Sequence, residues 1–179
     1  MHLDLSALEA GLDEVRRSPL DDGKVELIAR RPAEDERETL AEARLDAEAG
    51  LVGDVWLDED GDRDRQVTVM NSRVADLLAR SRDRWSLAGD QLYVDLDLSV
   101  ENLPPGARLE VGSAILEVTG EPHRGCKKFA ARFGLDALRF VNSKPGYALN
   151  LRGINTRVVH GGVVRTGDVI RKLSIATPI

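Results

Sequence analysis

The sequence predicts a mainly β protein, a barrel or sandwich of short strands with a few helices around it. The second half of the chain is the main reason, because short apolar runs follow one another there at roughly even spacing between glycine-containing turns. The clearest pair is residues 109–111 and 114–119, which Gly112 and Ser113 join as in a hairpin. At 179 residues the chain has the length of a single domain with its own hydrophobic core.

The chain begins with the spacing of a helix rather than a strand. Apolar residues recur every three or four positions over residues 5–17, and Asp4 or Ser6 is placed to cap such a helix. We therefore expect two parts, a helical extension over residues 1–23 and the β domain over residues 24–179.

Three more elements follow in the first half of the β domain. Residues 24–29 have the composition of a strand, and the charged residues 31–38 are typical of a solvated loop. Residues 66–70 again resemble a strand, after which Asn71 is expected to cap an amphipathic helix that ends at Arg80.

The acidic run at residues 58–64 admits two interpretations. Three aspartates alternate there as in a calcium-binding loop, but that pattern needs a glycine where Arg65 stands and a glutamate where Asn71 stands. A polar hairpin turn around Asp60 and Gly61 is the interpretation that the residues favour.

The second half of the chain also contains two helical segments. Residues 127–133 and 135–141 both have helical spacing, and Gly134 separates them. The remaining strands are expected at residues 149–151, 156–160 and 168–173.

Two adjacent glycines predict a further hairpin. Gly161 and Gly162 are expected to turn residues 158–159 back onto residues 163–164. A turn explains these glycines better than a phosphate-binding loop does, because the chain contains neither a P-loop nor a Gly-x-Gly-x-x-Gly motif.

Composition and charge exclude several function classes. The chain has 25 basic and 31 acidic residues, a net charge of −6, which argues against general binding of nucleic acid or of anionic membranes. No apolar run approaches the ~20 residues of a membrane span, and the N-terminus does not have the order of a signal peptide. With a single cysteine and no export signal, the cytoplasm is the expected compartment.

That cysteine, Cys126, lies in the most basic short stretch of this acidic chain. Arg124, Lys127 and Lys128 are its near neighbours, and we expect a loop between a strand and a helix, where cations and free backbone N–H groups favour a thiolate. Gly125 would let a ligand approach the backbone closely. The same group of residues would also suit a phosphate or another oxyanion. The alternative is that Cys126 is a small buried hydrophobic residue and the lysines form a solvated face.

His123 stands three residues before Cys126. Two such ligands are too few for a structural zinc site, which normally takes four. His123 is therefore a candidate base for the thiol, a polar group beside an anion, or an ordinary loop histidine. A Ser-His-Asp hydrolase has no support, because no Gly-x-Ser-x-Gly elbow occurs.

An ordered series of short motifs resembles the MOSC domain family, named after the C-terminal domain of molybdenum cofactor sulfurases. No single motif is specific, but their order is, and they extend over about residues 24–173. The matching segments are residues 50–54, 65–69, 88–92, 95–98, 103–109, 111–114, 116–119, 122–128 and 162–168.

The resemblance implies a MOSC-type β-barrel of short strands with a few peripheral helices, and a cysteine that meets the molybdenum cofactor. Cys126 is the matching position, as a molybdenum ligand or as a sulfur carrier, with His123 as a second catalytic candidate. The family also implies cofactor-binding residues, which are expected to be Arg124, Lys127, Lys128, Asp90 and Gln91. At positions 90 and 91 many members read Glu-Asn, so the chain keeps the carboxylate and the amide but changes their lengths.

Two activities follow from the resemblance, the reduction of N-hydroxylated compounds and sulfur transfer through Cys126. No flavin, haem or iron–sulfur motif occurs, so we expect a redox or sulfur-donor protein partner besides a small-molecule substrate. The alternative from another class is a non-catalytic module that binds an anion or senses oxidation through its thiol.

Overall fold

The computed structural model describes residues 1–174 and contains eleven strands, seven α-helices and two 3-10 segments. The strands are β1 (Gly23–Arg30), β2 (Glu38–Leu40), β3 (Glu42–Asp46), β4 (Gly50–Leu51), β5 (Val67–Asn71), β6 (Leu92–Asp95), β7 (Arg108–Val111), β8 (Ala114–Val118), β9 (Ile154–His160), β10 (Gly162–Arg165) and β11 (Val169–Lys172). The helices are α1 (Leu5–Ala10), α2 (Leu12–Val15), α3 (Trp56–Glu59), α4 (Ser72–Ala79), α5 (Lys127–Phe133), α6 (Leu135–Val141) and α7 (Lys144–Ala148), and the 3-10 segments are Arg63–Arg65 and Arg82–Ala88.

Seven strands form a closed barrel, as the sequence predicts. Their order is β11-β7-β8-β9-β5-β6-β1, and β1 pairs with β11 to close the ring. Every pair is antiparallel except β5 with β6, which are parallel. β2 extends the sheet beyond β1, and a small second sheet has the order β10-β3-β4.

The barrel strands separate two hydrophobic cores. In β6, Leu92 and Val94 point into the barrel, whereas Tyr93 points outward into a layer of helices. A bulge in β1 between Val25 and Leu27 resets this alternation. The outer core therefore receives one face of the same strands, and the helices that carry the site pack against it.

The N-terminal segment is helical and contributes to the outer core. Asp4 caps α1 by accepting a hydrogen bond from the Ala7 N–H at 2.9 Å. The expected single helix is divided at Gly11, where a Cβ atom would lie 2.5 Å from Leu77 of α4. Leu8 and Val15 are buried in the outer core.

Three local predictions are wrong. The acidic run forms α3 and a 3-10 segment instead of a hairpin around Asp60, because the buried Trp56 side chain anchors the run by donating to the Asp62 carbonyl at 3.0 Å. Residues 149–151 follow α7 as a turn, since Pro145 at the start of that segment favours a helix. β10 does not fold back on β9 but pairs with β3, because Leu45 and Ala43 there bury Val164 inside the barrel core.

The other elements agree with the sequence to within a residue or two. The β7–β8 hairpin has Val111 opposite Ala114, and Gly112 adopts a positive φ of 57° in its turn. Asn71 caps α4, and Gly134 separates α5 from α6. The expected β domain reaches residue 179, of which residues 175–179 lie outside the described part.

Candidate functional site

Cys126 and His123 border one cavity of about 200 Å³ beside the barrel. Cys126 is exposed and stands at the N-cap position of α5, so the expected position between a strand and a helix is confirmed. An adjoining cleft shares Arg31, Thr68 and His123 with this cavity. The thiol therefore opens onto a solvent-accessible space and is not part of the core.

Asp90 forms the buried floor of the site. It lies between Gly89, which has a positive φ of 90°, and the start of β6. Its side chain is 0% exposed and accepts hydrogen bonds from His123 Nε2 at 2.7 Å and Arg152 Nη1 at 2.5 Å. Burial opposes ionisation, but Arg152 and His123 together lower the pKa of Asp90 to about 2. Asp90 is therefore a carboxylate at neutral pH.

An ionised Asp90 fixes the state of His123. Burial, together with the charge of Arg152, lowers the pKa of the His123 imidazole, although Asp90 acts in the opposite direction. The ring is therefore neutral at pH 7, and the proton must lie on Nε2, which faces the carboxylate. No residue among 1–174 donates a hydrogen bond to Nδ1, so its lone pair can accept a proton or a hydrogen bond.

Arg152 is a site residue that the sequence did not indicate. It lies between α7 and β9, donates from Nη2 to the Ala88 carbonyl at 2.7 Å, and its guanidinium carbon lies 5.0 Å from the centre of the Phe129 ring. Its Nε is buried and has no hydrogen-bond partner in the described structure. A lone arginine in a loop has no sequence signature, so only the fold reveals it.

Two further arginines converge on the cavity beside Gly89. A Cβ atom on Gly89 would lie 3.8 Å from Arg37 Nη2 and 3.9 Å from Arg132 Nη1. Arg132 pairs with Asp35 at 3.4 Å, whereas Arg37 has no carboxylate within 4 Å among residues 1–174. Burial and the positive charges of Arg132 and Arg31 lower the pKa of Arg37. This side of the cavity can therefore receive an anion.

Gln91 supports the site from behind the cavity wall. It is fully buried, and its amide oxygen accepts hydrogen bonds from the Thr68 N–H at 2.9 Å and the Thr68 hydroxyl at 2.5 Å. Its Nε2 points to buried Asp54, which in turn holds Arg31 through a contact of 2.7 Å. Gln91 is thus connected to the cavity through Arg31 and does not line it.

The loop before Cys126 is fixed by Asn142, a second residue that the sequence did not indicate. The Asn142 side chain accepts from the Gly125 N–H at 2.9 Å and donates to the Gly125 carbonyl at 3.1 Å. A Cβ atom on Gly125 would lie 2.8 Å from Leu138 and 3.0 Å from Val141, both on α6. Gly125 is therefore needed for the close approach of α6.

The three basic neighbours of Cys126 take different directions. Lys128 lines the cavity at its rim, where it pairs with Glu34 at 3.1 Å. Arg124 lines a different cleft, and Lys127 is exposed and borders neither. The structure thus brings Cys126, His123 and Lys128 to one cavity, and it places Asp90 directly beneath.

Two further findings concern metal binding and membrane spans. Within residues 1–174, no group of three or more His, Cys, Asp or Glu side chains is arranged to hold a metal ion. A metal at Cys126 would therefore need its remaining ligands from a bound cofactor. None of the described helices is both long enough and apolar enough to cross a membrane.

Several solved structures have a fold similar to that of this chain. The YUAD protein from Bacillus subtilis aligns with a TM-score of 0.64 at 18% identity, covering 86% of this chain and 96% of that one. YiiM from Escherichia coli aligns with a TM-score of 0.57 at 19% identity, covering 89% of this chain and 72% of that one. YiiM from Geobacillus stearothermophilus aligns with a TM-score of 0.58 at 16% identity, over 85% and 75% of the two chains. These likenesses establish the fold.

The family itself rests on a sequence match. No curated protein matches the chain. The family model described as the MOSC domain matches residues 57–171, which is more than half of the sequence and includes Asp90, His123, Cys126 and Arg152. The chain therefore belongs to the MOSC domain family, which is associated with binding of the molybdenum cofactor.

Proposed function

We propose that this chain binds the molybdenum cofactor in the Cys126 cavity and uses it to remove oxygen from a small N-hydroxylated compound. The main support for this proposal is that a thiol and a cation line the same cavity. The single thiol opens onto a cavity that is also lined by Arg37, a partly buried cation with no carboxylate partner in the described structure. A soft ligand and an anion receptor thus face the same space.

The residues present fit the cofactor. The Cys126 thiolate is the kind of soft ligand that suits a molybdenum ion, and guanidinium groups such as those of Arg37 and Arg132 suit a phosphate through paired hydrogen bonds. The partnerless Nε of Arg152 is a further buried donor at this wall. Lys128 adds a cation at the rim, whereas Gln91 would act only by holding Arg31 through Asp54.

In this proposal the protein supplies binding and proton transfer. When bound, the cofactor would supply the two-electron redox chemistry. The overall change converts R–NHOH, two protons and two electrons into R–NH₂ and water. His123 is the proton carrier, because its neutral ring has a free Nδ1 and its Nε2 is held by Asp90. Arg152 keeps Asp90 ionised and is therefore a positioning residue.

In this proposal a partner protein delivers the electrons. With one cysteine the chain cannot ligate an iron–sulfur cluster of the four-cysteine type. The proposal therefore includes a redox protein as partner and the cytoplasm as compartment, where reducing conditions keep a lone thiol free.

Expression in a host that makes the cofactor tests the binding claim. The wild-type protein, Cys126→Ser, Arg37→Gln and the control Arg44→Gln, which removes an exposed charge from β3, are purified and analysed for molybdenum and for pterin. We expect about one molybdenum per chain in the wild type and in the control. We expect less than one tenth of that in Cys126→Ser and a clear loss in Arg37→Gln.

The result that contradicts the proposal is equally clear. If no molybdenum or pterin is found in the wild type and purified cofactor also fails to bind, the chain is not a cofactor-binding protein. A persulfide on Cys126 in such a preparation, found by mass spectrometry, would point to sulfur transfer instead.

A further inference from the structure

A second cleft of about 270 Å³ lies on the other side of His123. Its walls are largely apolar, and its lining includes Leu103, Pro105, Val118 and Ile154. Val100 and Tyr147 also line it, although they are 47% and 41% exposed. Two large apolar side chains that remain exposed at the same cleft indicate a surface for a ligand.

One side of this cleft is held in place by two hydrogen bonds to backbone carbonyls. The Val100 N–H donates to the Ala148 carbonyl of α7 at 3.0 Å, and Asn150 donates to the Leu98 carbonyl at 2.8 Å. These bonds join the segment that carries Val100 to the helix that carries Tyr147. The two exposed apolar side chains are therefore parts of one fixed rim.

Within residues 1–174, Arg124 is the only arginine or lysine that lines this cleft. His123 also lines it, but its ring is neutral. The Arg124 side chain also contacts the rim. The guanidinium carbon of Arg124 lies 5.0 Å from the centre of the Tyr147 ring, a cation–π contact. Arg124 has no carboxylate within 4 Å in the described structure, so its N–H donors are available. The one acidic side chain of the lining, Glu121, lies 3.8 Å from Arg65 instead.

We propose that this cleft binds a small molecule with one flat apolar ring and a carboxylate group. The carboxylate pairs with Arg124 at the entrance, as a planar guanidinium does best. The ring lies along Tyr147, Val100 and Pro105, and its far end reaches His123. Since His123 borders both this cleft and the Cys126 cavity, the far end of the ligand lies next to that cavity, although the ligand occupies a cleft that neither Arg37 nor Arg132 lines.

As a statement about the substrate, this inference depends on the proposed function, but the cleft and its ligand chemistry do not. The binding test therefore uses the whole 179-residue chain, and molybdenum is measured in the same sample. A sample that contains no molybdenum, does not take up purified cofactor and still binds the probe would contradict the cofactor proposal and support the cleft. A loaded sample that does not bind the probe would do the reverse.

The probe is benzoate, compared with benzyl alcohol, its neutral counterpart of similar size. Binding is followed by chemical-shift changes in NMR spectra of the ¹⁵N-labelled protein. We expect saturable shifts at residues of the cleft, with a dissociation constant on the order of 1 mM, as for other fragments of this size. Benzyl alcohol is expected to bind at least about tenfold more weakly, because it lacks the charge.

Two variants and a control complete the test. Arg124→Gln is expected to weaken benzoate binding at least about tenfold and to leave the weak binding of benzyl alcohol unchanged. Tyr147→Ala is expected to weaken both ligands. Arg165→Gln removes an exposed arginine charge on β10 and should change neither. Unchanged benzoate binding in Arg124→Gln, or shifts that map outside the cleft in the wild type, would overturn the proposal.

Discussion

Replacing Asp90 with asparagine keeps the shape of the side chain and removes its negative charge. Asp90 is fully buried between Arg152 and His123, so Asp90→Asn leaves the Arg152 guanidinium without a counter-ion. Removing one partner of a buried pair typically costs about 3–5 kcal/mol. We therefore expect a loss of that order in the free energy of unfolding at pH 7, measured by urea denaturation.

The size of the electrostatic part can be worked out from the pKa. Asp90 ionises at a pKa of about 2 in the folded protein, against an ordinary value of 3.8. At about 1.4 kcal/mol per tenfold change, that difference corresponds to roughly 2 kcal/mol of stabilisation by the ionised form. Because the folded pKa is the lower one, this stabilisation is present above about pH 4 and is lost as the pH falls toward 2.

The difference in stability between the wild type and Asp90→Asn should therefore shrink as the pH is lowered from 5 to 3. Glu42→Gln serves as the control, because it breaks an exposed pair with Arg165. We expect that change to cost less than about 1 kcal/mol at every pH. A loss below about 1 kcal/mol in Asp90→Asn at pH 7, or a difference that does not change with pH, would refute the account of the buried triad.

Three other changes test the geometry around Cys126. Gly125→Ala should cost about 1–3 kcal/mol in the free energy of unfolding, because the added methyl group meets side chains of α6. Gly120 has open space around it, so Gly120→Ala should cost less than about 0.5 kcal/mol. Thermal unfolding compares the two variants, and equal effects would contradict the packing argument. Asn142→Ala should accelerate amide hydrogen exchange at Gly125, and an unchanged rate would show that the loop is held in another way. The pKa of His123 in the folded protein lies below its ordinary value of 6.5, so this residue stabilises the fold above about pH 6.5 and the contribution is lost as the pH falls. His123→Asn should therefore remove part of the decline in the free energy of unfolding below about pH 6.5. An unchanged profile of stability against pH would mean that His123 does not titrate in this way.

Much of the fold could be predicted because its signals are local. The hairpin at Gly112 and Ser113 and the break at Gly134 are encoded by a few adjacent residues. The prediction of a hairpin at Gly161 and Gly162 was wrong because β10 pairs with β3, which lies more than a hundred residues earlier in the chain. No local sequence pattern specifies that pairing.

The candidate site was predicted only in part, for a similar reason. Cys126 and His123 stand out because they are close together in the sequence and in a basic segment. Arg152 and Arg37 did not, since each is one of many arginines and only the closed barrel brings them to the same cavity. Arg124 was expected at the cavity because it is close to Cys126 in the sequence, but its side chain lines the second cleft instead.

The claim that Cys126 ligates molybdenum is tested most directly by X-ray absorption at the molybdenum edge. The wild-type protein and Cys126→Ser, the latter loaded with excess purified cofactor, are compared for the number of sulfur atoms around the metal. We expect one sulfur neighbour fewer in the variant, because the thiolate of Cys126 is the only one that the chain can supply. An identical sulfur shell in the two proteins would contradict it.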